Sequence, residues 1–348
     1  MKKYDVTGLG SALLDLTFEV DDSILAELNL KKGSMHLIDR MKSKEILEKL
    51  KNHPCKISPG GSSANTISGI NSLGGKGVFL GKIGNDIHGD LYEKKTLEEG
   101  TIPKLSRDKF ELTGHAITLI TSDFERTFAT HLGASLYFSK RDVLKEEIKN
   151  SKILHLEGYQ LEDTNLREAV IYAIEIAKLN NMIISLDLSE SNLIKRNLDF
   201  FKKFVKDYVD IVFVNETEAE AFTGKKEEEA LNEISHFCKI AIVKLGERGS
   251  LIKSSNRIYQ IPSFKTNVIN TNGAGDMYAS GILYGLANNL DLKASGTIAS
   301  FAASLVVASS GARLDNLSIN KLSCVARLVQ QKAFRVKIND FNLCLVLF

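Results

Sequence analysis

Proline is scarce, with four residues in a chain of 348. No Pro/Gly/Ser-rich stretch separates two halves, so a flexible linker between independent domains is not expected, although the length alone would accommodate about two domains. Cysteine is equally scarce. Cys55, Cys238, Cys324 and Cys344 lie far apart, with no C-x-x-C pair and no histidine at ligand spacing. That pattern argues against a disulfide scaffold or a zinc site and points to a reducing, cytoplasmic setting. Net charge is small too, 45 Lys and Arg against 43 Asp and Glu. A balance this close gives no electrostatic footprint for nucleic acid or an anionic membrane, so the expected partner is a small molecule. Long apolar runs are missing. The longest, Ile298 to Ala308, is interrupted by serines and falls well short of the roughly 20 residues that span a bilayer. Asp5 and two glycines break the N-terminal segment where a secretion signal needs an apolar core.

What the chain does contain is alternation. Short apolar runs at Val78 to Ile83, Ile153 to Leu156, Ile183 to Leu188, Asp210 to Val214 and Ile240 to Leu245 read as buried strands. Between them, Ser63 to Leu73, Thr164 to Leu179, Leu198 to Val209 and Glu227 to Phe237 repeat apolar residues every three or four positions, as helices do. This predicts an α/β fold with a mostly parallel central sheet and helices on both faces, whose ligands sit beyond the carboxyl ends of the strands. Residues 11–39 and about 102–131 break the rhythm. They hold strand-like runs without matching helices, predicting antiparallel hairpins in a small accessory sheet. Residues 318–348 contain neither glycine nor proline, carry five basic residues against one acidic, and end in the apolar run Leu343 to Phe348. They form an extension of unassigned role beyond a main domain of residues 1–317, expected to dock on the core as a final strand or helix.

Two glycine-rich segments carry the chemistry. In Asn270-Thr271-Asn272-Gly273-Ala274-Gly275-Asp276, small residues open a helix whose buried stripe is Met277, Ala279, Ile282, Leu283 and Leu286. Free backbone N–H groups and the helix dipole make that start an anion site. Asp276, in the first turn, is placed to accept a proton from a hydroxyl attacking a phosphate. The bland alternative is an acidic residue that merely suits a helix N-terminus. The second segment, Pro59-Gly60-Gly61-Ser62-Ser63-Ala64-Asn65, lets a polyhydroxylated ligand approach the backbone, with Asn65 offering both a donor and an acceptor. His131 and His155 are better read as structural than as ligand-binding. No P-loop or full dinucleotide fingerprint is present.

In order and spacing these segments resemble the two signature motifs of the ribokinase-like (PfkB) carbohydrate kinase family, over Tyr4 to about Arg313. Glu125-Arg126-Thr127, Gly133-Ala134 and Leu156-Glu157-Gly158-Tyr159 are most similar to its adenosine-kinase-like branch. The resemblance implies a central sheet with a small β-sheet lid, drawn from residues 11–39 and 102–131. It makes Asp276 the base and the backbone of Gly273, Ala274 and Gly275 the anion hole. Substrate contacts would come from Asp15, Gly60, Gly61, Asn65, Arg126 and Tyr159. Asn215, Glu218, Lys244, Gly246 and Gly249 would serve ATP and Mg²⁺, with Glu218 acting on the metal through water. Asn270 stands where the family usually has Asp, which puts activation by a monovalent cation such as K⁺ in question.

The function implied is ATP-dependent transfer of the γ-phosphate to a primary hydroxyl, with a purine nucleoside such as adenosine as acceptor. A free sugar such as ribose or fructose is the alternative, and a non-catalytic regulator on the same fold a third reading. A purine would need an apolar or aromatic sandwich, for which Phe128, Tyr137, Phe138 and Tyr159 are the candidates. The chain is expected to act as a monomer or homodimer.

Overall fold

The computed structural model describes residues 2–123 and 125–330. In chain order the strands are Tyr4–Leu9 (β1), Leu13–Glu19 (β2), Met35–Leu37 (β3), Cys55–Gly60 (β4), Gly77–Gly84 (β5), Ile102–Asp108 (β6) and Gly114–Ile120 (β7). They continue with Arg126–His131 (β8), Ser151–Glu157 (β9), Ile183–Asp187 (β10), Ile211–Asn215 (β11), Ile240–Lys244 (β12), Ser250–Ser254 (β13) and Arg257–Ile261 (β14). Nine of them build the main sheet in the order β14-β13-β12-β11-β10-β9-β1-β5-β6. It is parallel from β12 to β6, and only the β12-β13-β14 end is antiparallel.

Alternate residues of each strand feed two cores. Val212 and Val214 join one apolar cluster, and Ile211 and Phe213 join the other. Both faces are therefore buried, which is why these strands read as continuous apolar runs. The helix Thr164–Leu179 has the expected bounds because its ends are chemically marked. Asp163 accepts the N–H groups of Asn165 and Leu166, while Leu166, Ala169, Val170, Ala173, Ile174 and Ala177 form the buried stripe. Such a cap contributes about 1 kcal/mol.

The second sheet has the order β3-β8-β7-β2-β4. Its membership differs from expectation. Residues 102–108 pair with β5 at the edge of the main sheet, while β4, whose Pro59 and Gly60 resemble loop chemistry, supplies an edge strand instead. The sheet is also mixed rather than a set of antiparallel hairpins, since β2 runs parallel to β7 and β3 parallel to β8. The helix Asn316–Gln330 packs on the helix Leu292–Val307, with Leu322, Val325 and Ala326 buried beside Phe301 and Val306. The start of the C-terminal extension is thus docked on the body, and its apolar end, Leu343 to Phe348, lies outside the described residues. No helix among the described residues is long and apolar enough to cross a membrane.

Candidate active site

Strand order reverses between β1 and β9, the place where a parallel sheet opens a crevice at its carboxyl ends. The chain is stitched together there by the buried carboxylate of Glu157, at the end of β9. Glu157 accepts the backbone N–H of Ser11 at 2.8 Å and of Ser63 at 2.9 Å. Gln160 Nε2–H donates to the same carboxylate at 3.3 Å. A side chain on Gly10 would come within 2.6 Å of its Oε2 atom. Burial pushes the Glu157 carboxyl up from its ordinary range, and the N–H donors oppose that shift. The result fixes where the helix Ser62–Ser72 begins. Gly61, before it, has φ of +97°, and a Cβ there would stand 2.0 Å from the Ser11 carbonyl oxygen, so only glycine fits.

That helix start faces another. The helix Ala274–Ala287 is preceded by Gly273 in the left-handed region, and its first-turn N–H groups lack intrahelical partners. Asp276 sits in this turn with its carboxylate held from the opposite helix. Ser62 Oγ–H donates to Asp276 Oδ1 at 2.6 Å and Asn65 Nδ2–H to Oδ2 at 3.0 Å. Burial, helped by the negative field of Asp187, pushes the Asp276 carboxyl up to about 6, against the Ser62 and Asn65 hydrogen bonds and the nearby Lys244 ammonium. It stays largely ionised at neutral pH while becoming a stronger base than an exposed aspartate.

The second sheet roofs a narrow cleft of about 90 Å³; Asp276, Ser62 and Asn65 are not in its lining, and Arg313, which bonds Asn65 and acts on Asp15, connects them to it. Asp15, Lys56, Thr118, Arg126 and Phe128 line it from the sheet, and Asn270 and Asn272 from the body. Burial raises the Asp15 carboxyl to about 6, with Arg313 pulling it back down. Gly60 lies against that carboxylate, since a Cβ there would stand 2.6 Å from Asp15 Oδ2. Polar contacts tie the sheet to the body, among them the Tyr92 hydroxyl donating to the Gly60 carbonyl at 3.1 Å. Arg126 Nη1–H donates to Asn270 Oδ1, and Lys56 Nζ–H donates to Ser310 Oγ at 2.6 Å. A larger cavity, of about 640 Å³, opens at the amino ends of β10, β11 and β12. None of the motif residues lines it, and it lies at the wrong end of the strands for the ligand crevice of such sheets.

The sequence pattern of the pfkB family carbohydrate kinases matches residues 27–319. The chain belongs to that family. It is 32% identical over 261 residues to a Bacillus subtilis protein named 5-dehydro-2-deoxygluconokinase, covering 71% of this chain and 80% of that one. Among solved structures, a probable sugar kinase from Rhizobium etli superposes with a TM-score of 0.86 at 30% identity, covering 94% of this chain and 99% of that one. An adenosine kinase from Sinorhizobium meliloti does so at 0.85, with the same identity and coverage. As a pfkB kinase this chain is a phosphotransferase acting on an alcohol group of a sugar or nucleoside, using ATP and a divalent metal.

The expected nucleotide-side residues of this kinase gather at the ends of β11 and β12, which place Asn215 opposite Lys244. Asn215 and Glu218 form a capping box on the helix Glu216–Thr223, in which Asn215 Nδ2–H donates to Glu218 Oε1 at 2.6 Å and Asn215 N–H to Oε2 at 2.8 Å. Lys244 Nζ pairs with Asp187 at 2.8 Å and lies 3.0 Å from where a Cβ on Gly275 would be. The ammonium therefore borders the helix start expected to form the anion hole. Gly246 faces open space, whereas Gly249 is required by its turn, because a Cβ there would meet the Ile261 carbonyl at 2.0 Å.

Burial and Asp187 push the Glu218 carboxyl up to about 7, with Lys244 acting against them. This concentration of negative charge suits a cation. Yet both Glu218 oxygens already accept hydrogen bonds, and no group of three metal-ligating side chains occurs among the described residues. The donor set fits a hard ion held mostly by phosphate oxygens and water, as Mg²⁺ is in kinases.

Of the expected substrate-side residues, Asp15 and Arg126 line the cleft, whereas Gly60, Gly61, Asn65 and Tyr159 do not. Tyr159 stands outside its lining, 40% exposed, its hydroxyl 3.4 Å from the Ser189 carbonyl. Phe138 is core, and Tyr137 offers its carbonyl to Lys82. His131 and His155 are buried and bonded, His131 to the Ile38 carbonyl and His155 to Ser185. Sequence reasoning missed Ser62, Asp187, Lys56 and Arg313 as members of the site. Asp187 alone had a usable signal, an acidic residue closing an apolar strand at its carboxyl end.

Proposed function

We propose that the chain is an Mg²⁺-ATP-dependent kinase that phosphorylates a primary hydroxyl of a free, polyhydroxylated sugar, with Asp276 as base. One observation carries the reading. A buried, ionisable carboxylate is fixed by Ser62 and Asn65 at a helix start, within the field of the Lys244 ammonium, and Arg313 joins Asn65 to the Asp15 that lines the cleft.

The substrate's hydroxyl proton passes to Asp276 as its oxygen attacks the γ-phosphorus and ADP leaves. The N–H groups of the first turn of the helix Ala274–Ala287 and the Lys244 ammonium stabilise charge on the transferring phosphoryl oxygens. Bound Mg²⁺ would neutralise phosphate charge, with Glu218 acting through water. Asp15 accepts from sugar hydroxyls and Asn65 keeps Asp276 aimed. The roofing sheet, acting as a lid, excludes water that would otherwise hydrolyse ATP.

A free sugar is favoured over a nucleoside because nine of the fourteen residues lining the cleft have polar side chains and Phe128 is the one aromatic residue among them. With Phe138 in the core and Tyr137 and Tyr159 outside the cleft, the aromatic sandwich a purine needs has no second member there. The relative named 5-dehydro-2-deoxygluconokinase supports the same choice. Adenosine is the second reading, supported by the 30% identity to the Sinorhizobium meliloti adenosine kinase and by Phe128 beside Ile120 in the cleft.

The experiment is a coupled ADP-release assay with free sugars, sugar acids and nucleosides, with and without K⁺. The expected result is preference for a free sugar or sugar acid. Preference for adenosine would replace the first reading with the second, and no turnover of any acceptor would reject both. Because the Asn270 side chain is committed to Arg126, Asn272 N–H and the Ser310 carbonyl, activity without K⁺ is the expected outcome.

A further inference from the structure

The guanidinium of Arg313 stands behind the catalytic carboxylate, one residue removed. Its side chain is only 6% exposed. Nε–H donates to Asn65 Oδ1 at 2.9 Å, and Nη1–H to Glu99 Oε2 at 2.6 Å. Nη2 is buried and finds no partner among the described residues. The same guanidinium lies close enough to Asp15 and to the Tyr92 hydroxyl to favour the ionised form of each. A buried cation is costly to desolvate, which directs attention to what it does for its neighbours.

Asn65 decides the matter. A carboxamide turned end for end keeps its shape but exchanges donor for acceptor, so its hydrogen-bond partners choose the orientation. With Oδ1 taken by Arg313, the Nδ2 group faces Asp276 Oδ2 as a donor. Turned over, it would set a carbonyl against the carboxylate and an NH₂ against the guanidinium, two repulsive contacts at once. Arg313 therefore selects the state of Asn65 that steadies Asp276, and Glu99 keeps the guanidinium in place from the far side. The sequence from Glu99 through Arg313 and Asn65 to Asp276 joins four distant parts of the chain.

We propose that Arg313 is a positioning residue of phosphoryl transfer, acting through Asn65 to hold the Asp276 carboxylate in the orientation that accepts the substrate's hydroxyl proton. This rests on Asp276 being the base. Arg313 belongs to neither glycine-rich motif; it lies in the connection between the helices Leu292–Val307 and Asn316–Gln330.

The test is a double-mutant cycle of Arg313→Met and Asn65→Ala, read in kcat and KM after thermal melting has shown that each variant is folded. Arg313→Met should lower kcat about 10- to 100-fold, the range for a mispositioned catalytic group, with KM for ATP changed less than about twofold. The double variant should be no slower than Asn65→Ala alone. The acid limb of its kcat profile should also move to higher pH, because Asp276 loses a donor to its ionised form. The other charged groups acting on Asp276 are Asp187, which raises its pKa, and Lys244, which lowers it; both stay in place in these variants. Multiplicative losses in the cycle, or a folded Arg313→Met enzyme with unchanged kcat, would overturn the proposal. If Arg313→Met does not fold, Glu99→Gln tests the same connection, with a smaller drop and the same direction of pH shift expected and an unchanged profile counting against it. Asp276→Asn separates the two ideas. If that variant turns over normally, the base assignment itself falls; if it is inactive while Arg313→Met is normal, only the role of Arg313 falls.

Discussion

Removing the Ser62 hydroxyl should change the pH at which the enzyme works more than the rate at which it can work. Ser62 Oγ–H donates to Asp276 at 2.6 Å, and the bond favours the ionised carboxylate in a site where burial has already raised the pKa to about 6. A hydrogen bond to a charged group contributes about 1.5 to 3 kcal/mol, and one pKa unit corresponds to about 1.4 kcal/mol. Ser62→Ala should therefore move the acid limb of kcat upward by about one unit. At pH 6 the ionised fraction of Asp276 would fall from about one half to about one tenth, a roughly fivefold loss of kcat, while at pH 8 the two enzymes would differ by about a tenth. The assay is ADP release at saturating ATP and acceptor from pH 5 to 8.5. An acid limb that stays in place, or a uniform loss at every pH, would refute the reasoning that this hydrogen bond tunes the base.

Other consequences follow from the same geometry. Asp276 binds its proton more tightly folded than unfolded, so between about pH 4 and 6 the folded state carries the extra proton and stability falls as pH rises. The difference of about two units corresponds to at most about 3 kcal/mol. Asp276→Asn should therefore raise the melting temperature at pH 7.5 and leave it nearly unchanged at pH 4, as thermal melts at the two values would show. Gly61→Ala, which puts a Cβ 2.0 Å from the Ser11 carbonyl at φ of +97°, should lower stability by about 2 kcal/mol or more in urea titrations. Leu322→Ala opens a cavity between the helices Asn316–Gln330 and Leu292–Val307 and should cost about 2 to 5 kcal/mol. An unchanged urea midpoint would show that the C-terminal helix is not docked there.

The sequence made the body of the fold legible because its signals are local. A strand buried on both faces is a continuous apolar run, as at Ile183–Asp187, and a helix such as Thr164–Leu179 carries its cap and stripe within its own residues. The second sheet was harder to read because strand membership depends on partners far away. Ile102–Asp108 looks like its neighbour Gly114–Ile120 until pairing with Gly77–Gly84 assigns it to the main sheet. Cys55–Gly60 contains the proline and glycine of a loop and becomes a strand by pairing with Leu13–Glu19. The site divides the same way. Asp276, Gly61 and Asn65 stand in compact motifs, whereas Arg313 is 248 residues from the Asn65 it touches and Lys244 is 57 from Asp187. No window along the chain contains those pairs.

The central claim is that Asp276 accepts the proton during phosphoryl transfer, and a single-turnover measurement on Asp276→Asn tests it most directly. With enzyme in excess over ATP and the preferred acceptor present, phosphorylated product should form about 10²-fold or more slowly than in the wild type, while acceptor affinity measured without turnover stays within about threefold. A variant that forms product at the wild-type rate would contradict the account.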